Sequence, residues 1–167
     1  MLIASWLLNL ACVDLDLRRF VSQTAGIGLS DITVGGEAAG LLNGLSPGRP
    51  YSYDLYVQPS VWEDMRDLNR HLCVFRCERR GLYFETAGGE FRVFYSTVRG
   101  REMVAAHPHL HNDVVTDFAV RSCCDLIAEK IDLLKARRLS LAKRWRLVKD
   151  VFALYAHRVP AYLWFKS

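Results

Sequence analysis

The chain has 167 residues, 51% of them apolar and 24% charged, an ordinary globular composition long enough to bury one core. No apolar run approaches the roughly 18 residues of a membrane span, and the longest, Leu2 to Val13, is interrupted by Ser5 and Asn9. No basic residue separates Met1 from that run, as a secretory signal would require, so a cytoplasmic, intracellular chain with no membrane partner is expected.

From Leu2 to about Ser22, Leu7, Leu8, Leu10, Ala11, Leu15, Leu17 and Phe20 predict one or two short helices, ended by Gly26-Ile27-Gly28. Ile32-Thr33-Val34 is a short β-branched strand stopped by Gly35-Gly36, and residues 37 to 45 have helical spacing. Residues 51 to 57 are aromatic and β-branched and predict a second strand, closed by Pro59. Ser60 with Glu63 three residues on reads as a capping box opening a helix through His71. The Val-, Phe- and Tyr-rich runs 72–86 and 91–98, separated by Ala-Gly-Gly-Glu, predict an antiparallel hairpin.

Beyond a loop near residues 105 to 113 the chain is expected to turn helical. Cys124, Ile127, Ile131 and Leu134 form one apolar stripe, and Leu141, Trp145, Val148, Phe152 and Tyr155 another. Trp145 is expected in the core on that pattern, and Pro160 to end the last helix. With no repeat and no linker, one domain over 1–167 is predicted, an α/β (α+β) core over 1–110 followed by a helical part over 111–167.

Several groups could carry chemistry. The net charge is +4, yet the stretch 135–149 holds seven basic side chains and no acidic one, leaving −3 on the remainder. Lys135, Arg137, Arg138, Lys143, Arg144, Arg146 and Lys149 could bind RNA or another polyanion, or form a solvated helix face. His107, His109 and His111 alternate as zinc-chelating residues do, or make an exposed loop. The five cysteines are odd in number and lack zinc-knuckle or redox spacing, so reduced, mostly buried thiols are expected.

Gly35 and Gly36 either let the backbone approach a polyphosphate or simply supply a turn with positive φ. Asp54 taken alone reads as a solvated strand-end acid. Lys130 reaches toward a cleft or snorkels at the surface, and Asp150 sits four residues after Arg146, where an ion pair is available.

The order of Val34-Gly35-Gly36-Glu37-Ala38-Ala39, Ser52-Tyr53-Asp54-Leu55-Tyr56-Val57, Asp125-Leu126-Ile127-Ala128-Glu129-Lys130 and Val148-Lys149-Asp150-Val151 resembles the nucleotidyltransferase-fold superfamily, in the branch of the AbiEii-type abortive-infection toxins. The likeness spans roughly residues 30 to 156. It implies a small mixed sheet flanked by helices, a nucleoside triphosphate with Mg²⁺ as ligands if the protein is active, nucleotide contacts from Gly35, Gly36, Ser52, Lys130 and Lys149, and catalytic acids at Asp54 and Asp150, with Asp54 on the metal.

The metal-binding pattern is incomplete. The family's Asp-x-Asp is Ser52-x-Asp54 here, and the strand expected to bring a third acid, Phe91 to Tyr95, offers Arg92. Glu37, Glu85 or Glu90 could compensate. The resemblance thus implies a nucleotidyltransferase-like protein that binds a nucleoside triphosphate or an RNA end and is catalytically weak or a pseudoenzyme. The alternative is a non-catalytic module whose basic stretch 135–149 docks an acidic protein partner or nucleic acid.

Overall fold

The computed structural model describes residues 2–45, 50–72, 75–78, 81–96, 101–105, 114–135 and 139–164. They form a mixed α/β fold. One sheet of seven strands has the order β3-β4-β5-β2-β1-β7-β6, built from β1 (Thr33–Gly35), β2 (Ser52–Val57), β3 (Phe75–Glu78), β4 (Gly81–Thr86), β5 (Gly89–Tyr95), β6 (Arg101–Ala105) and β7 (Val114–Val120). The helices are α1 (Leu2–Gln23), α2 (Gly36–Leu42), α3 (Pro59–Leu68), α4 (Cys123–Lys135) and α5 (Leu141–Trp164). Central strand β2 runs antiparallel to β1 and parallel to β5, while β7 lies parallel to β1 on the other side.

Residue alternation explains the two faces of the sheet. Along β2, Tyr53, Leu55 and Val57 are buried, whereas Ser52, Asp54 and Tyr56 on the opposite face are half-buried. Helix α1 covers the first face with Leu10, Val13, Leu17 and Phe20, a single stripe at helical spacing. Phe20 stacks on Phe91 with centroids 4.4 Å apart, and Phe91 on Tyr53 at 4.7 Å. Complete burial of such rings contributes on the order of 2–3 kcal/mol each. Helix α3 closes the neighbouring edge through buried Met65, and the Trp62 indole N–H donates to the Val93 carbonyl at 3.2 Å.

Several expectations are corrected. The run 72–86 contains two strands, so β3, β4 and β5 form a three-stranded antiparallel meander instead of one hairpin. Helix α3 begins with Pro59 at its first position after Gln58, and no side-chain cap bond is present, so Ser60 and Glu63 do not make a capping box. The part expected to be helical opens with a strand instead: Val114–Val120 form β7 beside β1, and the helices start at Cys123. Leu2–Gln23 is one continuous helix. Among the described residues, no helix is long and apolar enough to cross a membrane. Of the described cysteines, Cys12 and Cys123 are half-buried and Cys77 and Cys124 exposed, so the thiols are less buried than expected.

Candidate functional site: a charged cleft between sheet and helices

Strand β1 passes into α2 with no intervening loop, and Gly36 makes the reversal at φ 56°. An L-residue there would be strained, and its Cβ would also run into the Asp54 carboxylate, 2.9 Å from Cγ. Asp54 faces Gly35 in the β1–β2 register, so strand pairing alone sets the carboxylate against the glycine turn. Gly35 in turn lies against the Tyr56 ring.

The same register logic acts on the other side of β2. Asp54 is directly opposite Arg92 of β5, and on this half-buried face the two side chains meet with Nε and Oδ1 2.6 Å apart. The contact is an ion pair without hydrogen-bond alignment, since neither atom has a properly directed partner. Arg92 also donates from Nη2 to the Ser52 hydroxyl at 3.2 Å. Burial raises the Asp54 carboxyl above its ordinary value, and this outweighs the lowering by the Arg92 charge.

Helices α4 and α5 supply the opposite wall. The cleft, about 1210 Å³ and open to solvent, is lined by Gly36 and Asp54 from the sheet side and by Glu129, Lys130, Lys143 and Asp150 from the helical side, among others. Each of its four carboxylates is already matched by a cation: Asp54 by Arg92, Asp150 by Lys130 at 2.8 Å, Glu129 by Arg121 at 3.2 Å and Glu37 by Arg146 at 3.6 Å. The Arg121 guanidinium also lies over the Tyr56 ring, 4.1 Å from its centroid. Among the described residues, Lys143 and Lys149 line the cleft without any ion pair, and Lys149 Nζ lies 5.7 Å from the centre of the Trp145 ring.

Gly36, Asp54, Lys130, Lys149 and Asp150 therefore share one cleft, as do Lys143 and Arg146. Gly35 and Ser52 stand behind it, in contact with Tyr56 and Arg92. Asp150 pairs with Lys130 across the two helices, not with Arg146, whose guanidinium goes to Glu37. Arg144 is exposed on α5 and is not among the lining residues. Arg137 and Arg138, like His107, His109 and His111, lie outside the described residues. The basic stretch 135–149 is not one helix: Lys135 ends α4, and the cations from Lys143 onward belong to α5.

In the sequence Arg92 stands out only as a basic residue where an acid is expected. Its pairing with Asp54, and the roles of Arg121 and Glu129, depend on strand register and on β7 preceding α4, neither of which has a local signature.

Two Mg²⁺ ions require several free carboxylate oxygens converging on one point. Here the nearest strand position holds a guanidinium in contact with Asp54, and every cleft carboxylate already has its cation. Glu85 and Glu90 pair with each other in the β4–β5 register and are not among the lining residues, so they offer no substitute. The donor set does not fit a two-metal centre.

No family model matches the sequence, and neither a curated protein nor a solved structure does.

Proposed function

We propose that the chain is a nucleotidyltransferase-like domain that binds the polyphosphate of a nucleoside triphosphate, or a phosphorylated RNA end, in the cleft beside Gly36, and that it is catalytically weak or inactive. The observation carrying this reading is the charge balance of the cleft. Its carboxylates are each matched by a cation, while Lys143 and Lys149 line it with no ion pair among the described residues, so the complementary ligand is an anion. A flexible ammonium serves a phosphate as a point charge without requiring one fixed geometry.

Arg92 defines the second part of the proposal. A guanidinium standing next to Asp54 supplies positive charge where a divalent ion would otherwise be recruited, so phosphate binding does not require Mg²⁺. The same substitution removes the ligands needed to bring an attacking and a leaving oxygen into line, which is why turnover is not part of the proposal.

The test is a set of thermal melts with ATP, CTP, GTP and UTP, each with Mg²⁺ and with EDTA. At a hundred times the dissociation constant, a ligand adds about 2.7 kcal/mol of stability. The expected outcome is stabilisation by at least one triphosphate, of similar size in both conditions, that is lost in Lys143→Glu/Lys149→Glu. No stabilisation by any of the four would overturn the reading. Stabilisation only with Mg²⁺ would restore a metal-centred site.

A further inference from the structure

Helix α5 has two apolar faces, and only one of them is used by the fold. It packs against the domain through Leu147 and Leu154, 8% and 0% exposed, with Val151 partly buried between them. Leu141, Trp145, Val148, Phe152 and Tyr155 lie on a separate face, roughly 120° around the helix and within an arc of about 80° at 3.6 residues per turn. Leu141 is 87% exposed, Trp145 64%, Phe152 71% and Tyr155 43%.

These residues follow one another at alternating intervals of four and three, the spacing of a coiled-coil seam, and the same spacing reaches Val159 and Tyr162 in the sequence. A contiguous exposed stripe of this kind is far more apolar than a solvated helix face needs to be. RNA would be served by the aromatic rings and the cations but not by Leu141 and Val148, which neither stack nor hydrogen-bond; a second helix uses all five.

The flanks decide which helix. Arg144 borders the stripe on one side and Lys149 on the other, and no acidic residue occupies either flank between Leu141 and Tyr155. In a pair of these helices from two copies of the chain, cations would face cations in either the parallel or the antiparallel orientation. Self-association along the seam is disfavoured on that ground.

We infer that the outer face of α5, centred on Trp145 and Phe152, is a docking surface for an amphipathic helix of a different protein, with apolar residues in heptad spacing and acidic residues on its flanks. The surface adjoins the anion cleft at Lys149, which belongs to both, but Trp145 and Phe152 do not line the cleft, so the Trp145→Glu/Phe152→Glu arm reads the docking surface independently of the cleft's ligand.

Two fluorescein-labelled, three-heptad peptides test it by anisotropy against the full chain. Both carry Leu and Ile on the seam; one has Glu on both flanks and the other Lys. The Glu peptide is expected to bind at least tenfold more tightly than the Lys peptide. Trp145→Glu/Phe152→Glu, which alters only exposed positions and is checked for an unchanged melting temperature, is expected to lose at least tenfold in affinity. Arg144→Glu/Lys149→Glu is expected to reverse the preference between the peptides.

Equal affinity for the two peptides, or binding of the Glu peptide unaffected by Trp145→Glu/Phe152→Glu, would overturn the inference. So would sedimentation showing a concentration-dependent dimer that this variant abolishes, which would make a second copy the occupant. Binding of oligo-uridylate that the variant abolishes, with no peptide binding, would make the surface an RNA site instead.

Discussion

Arg92 on β5 stands opposite Asp54 on β2, and the 2.6 Å approach of Nε to Oδ1 joins the central strands of the sheet on the face that lines the cleft. The pair is largely withdrawn from water, Asp54 retaining 16% exposure and Arg92 34%. Burial therefore dominates the carboxyl, and the ion pair offsets only part of its cost.

A pH dependence follows with a definite sign. The folded-state value of Asp54 lies above its unfolded value, so between the two the folded chain binds more protons and stability falls as pH rises. Asp54→Asn removes this titration. Relative to that variant, the wild type should lose stability through the window and hold a constant deficit above it. Arg92→Leu removes the neighbouring charge that lowers the Asp54 value, so its window should extend to higher pH. Urea midpoints between about pH 3 and pH 8 are the measurement. A wild type that instead loses stability on acidification, relative to Asp54→Asn, would show the ion pair outweighing burial.

Gly36→Ala should be costly for two separable reasons. The backbone is left-handed there, and the new methyl group would meet the Asp54 carboxylate. A loss of about 1–3 kcal/mol is expected. In the double variant Gly36→Ala/Asp54→Gly the steric part should disappear and the backbone part remain. Denaturant unfolding of both proteins reads this directly, and additive losses would refute the contact.

Lys130 and Asp150 tie α4 to α5 at 2.8 Å with exposures of only 17% and 29%. Removing either partner leaves the other short of a counter-charge in a partly dry setting. Lys130→Met and Asp150→Leu should each cost about 1–3 kcal/mol. The double variant should cost less than the sum of the two, giving a coupling energy above about 0.5 kcal/mol. A coupling near zero would mean that the pair is solvated in solution.

On the opposite face, the Tyr53 hydroxyl donates to Asp16 Oδ2 at 2.6 Å, joining β2 to α1 inside the aromatic stack. Tyr53 is 0% exposed and Asp16 2%. Tyr53→Phe keeps the ring packing and removes one donor from a buried carboxylate, so a loss of about 1–3 kcal/mol in the unfolding free energy is expected. A change within experimental error would indicate that Asp16 is satisfied by its other interactions.

The local elements were legible wherever periodicity and punctuation agreed. The Gly35-Gly36 turn between strand and helix, the strand carrying Asp54 and the two late helices follow from residue spacing, because side-chain direction repeats every two residues in a strand and every 3.6 in a helix. The same periodicity misplaced Trp145. The stripe Leu141 to Tyr155 is real, but α5 buries Leu147 and Leu154 instead, and a helix with two apolar faces does not say in its sequence which one the domain will take.

The sequence by itself determined the α/β class, the glycine turn, the single acid on β2 and the separation of charge toward the C-terminal half. It even set Arg92 where an acid was expected. Only the tertiary structure decided that Arg92 meets Asp54, that β7 inserts beside β1, and that Lys130 pairs with Asp150. The reason is physical: local propensity acts over a few residues, whereas strand register and helix docking are fixed by which distant surfaces exclude water together, a property of the whole chain.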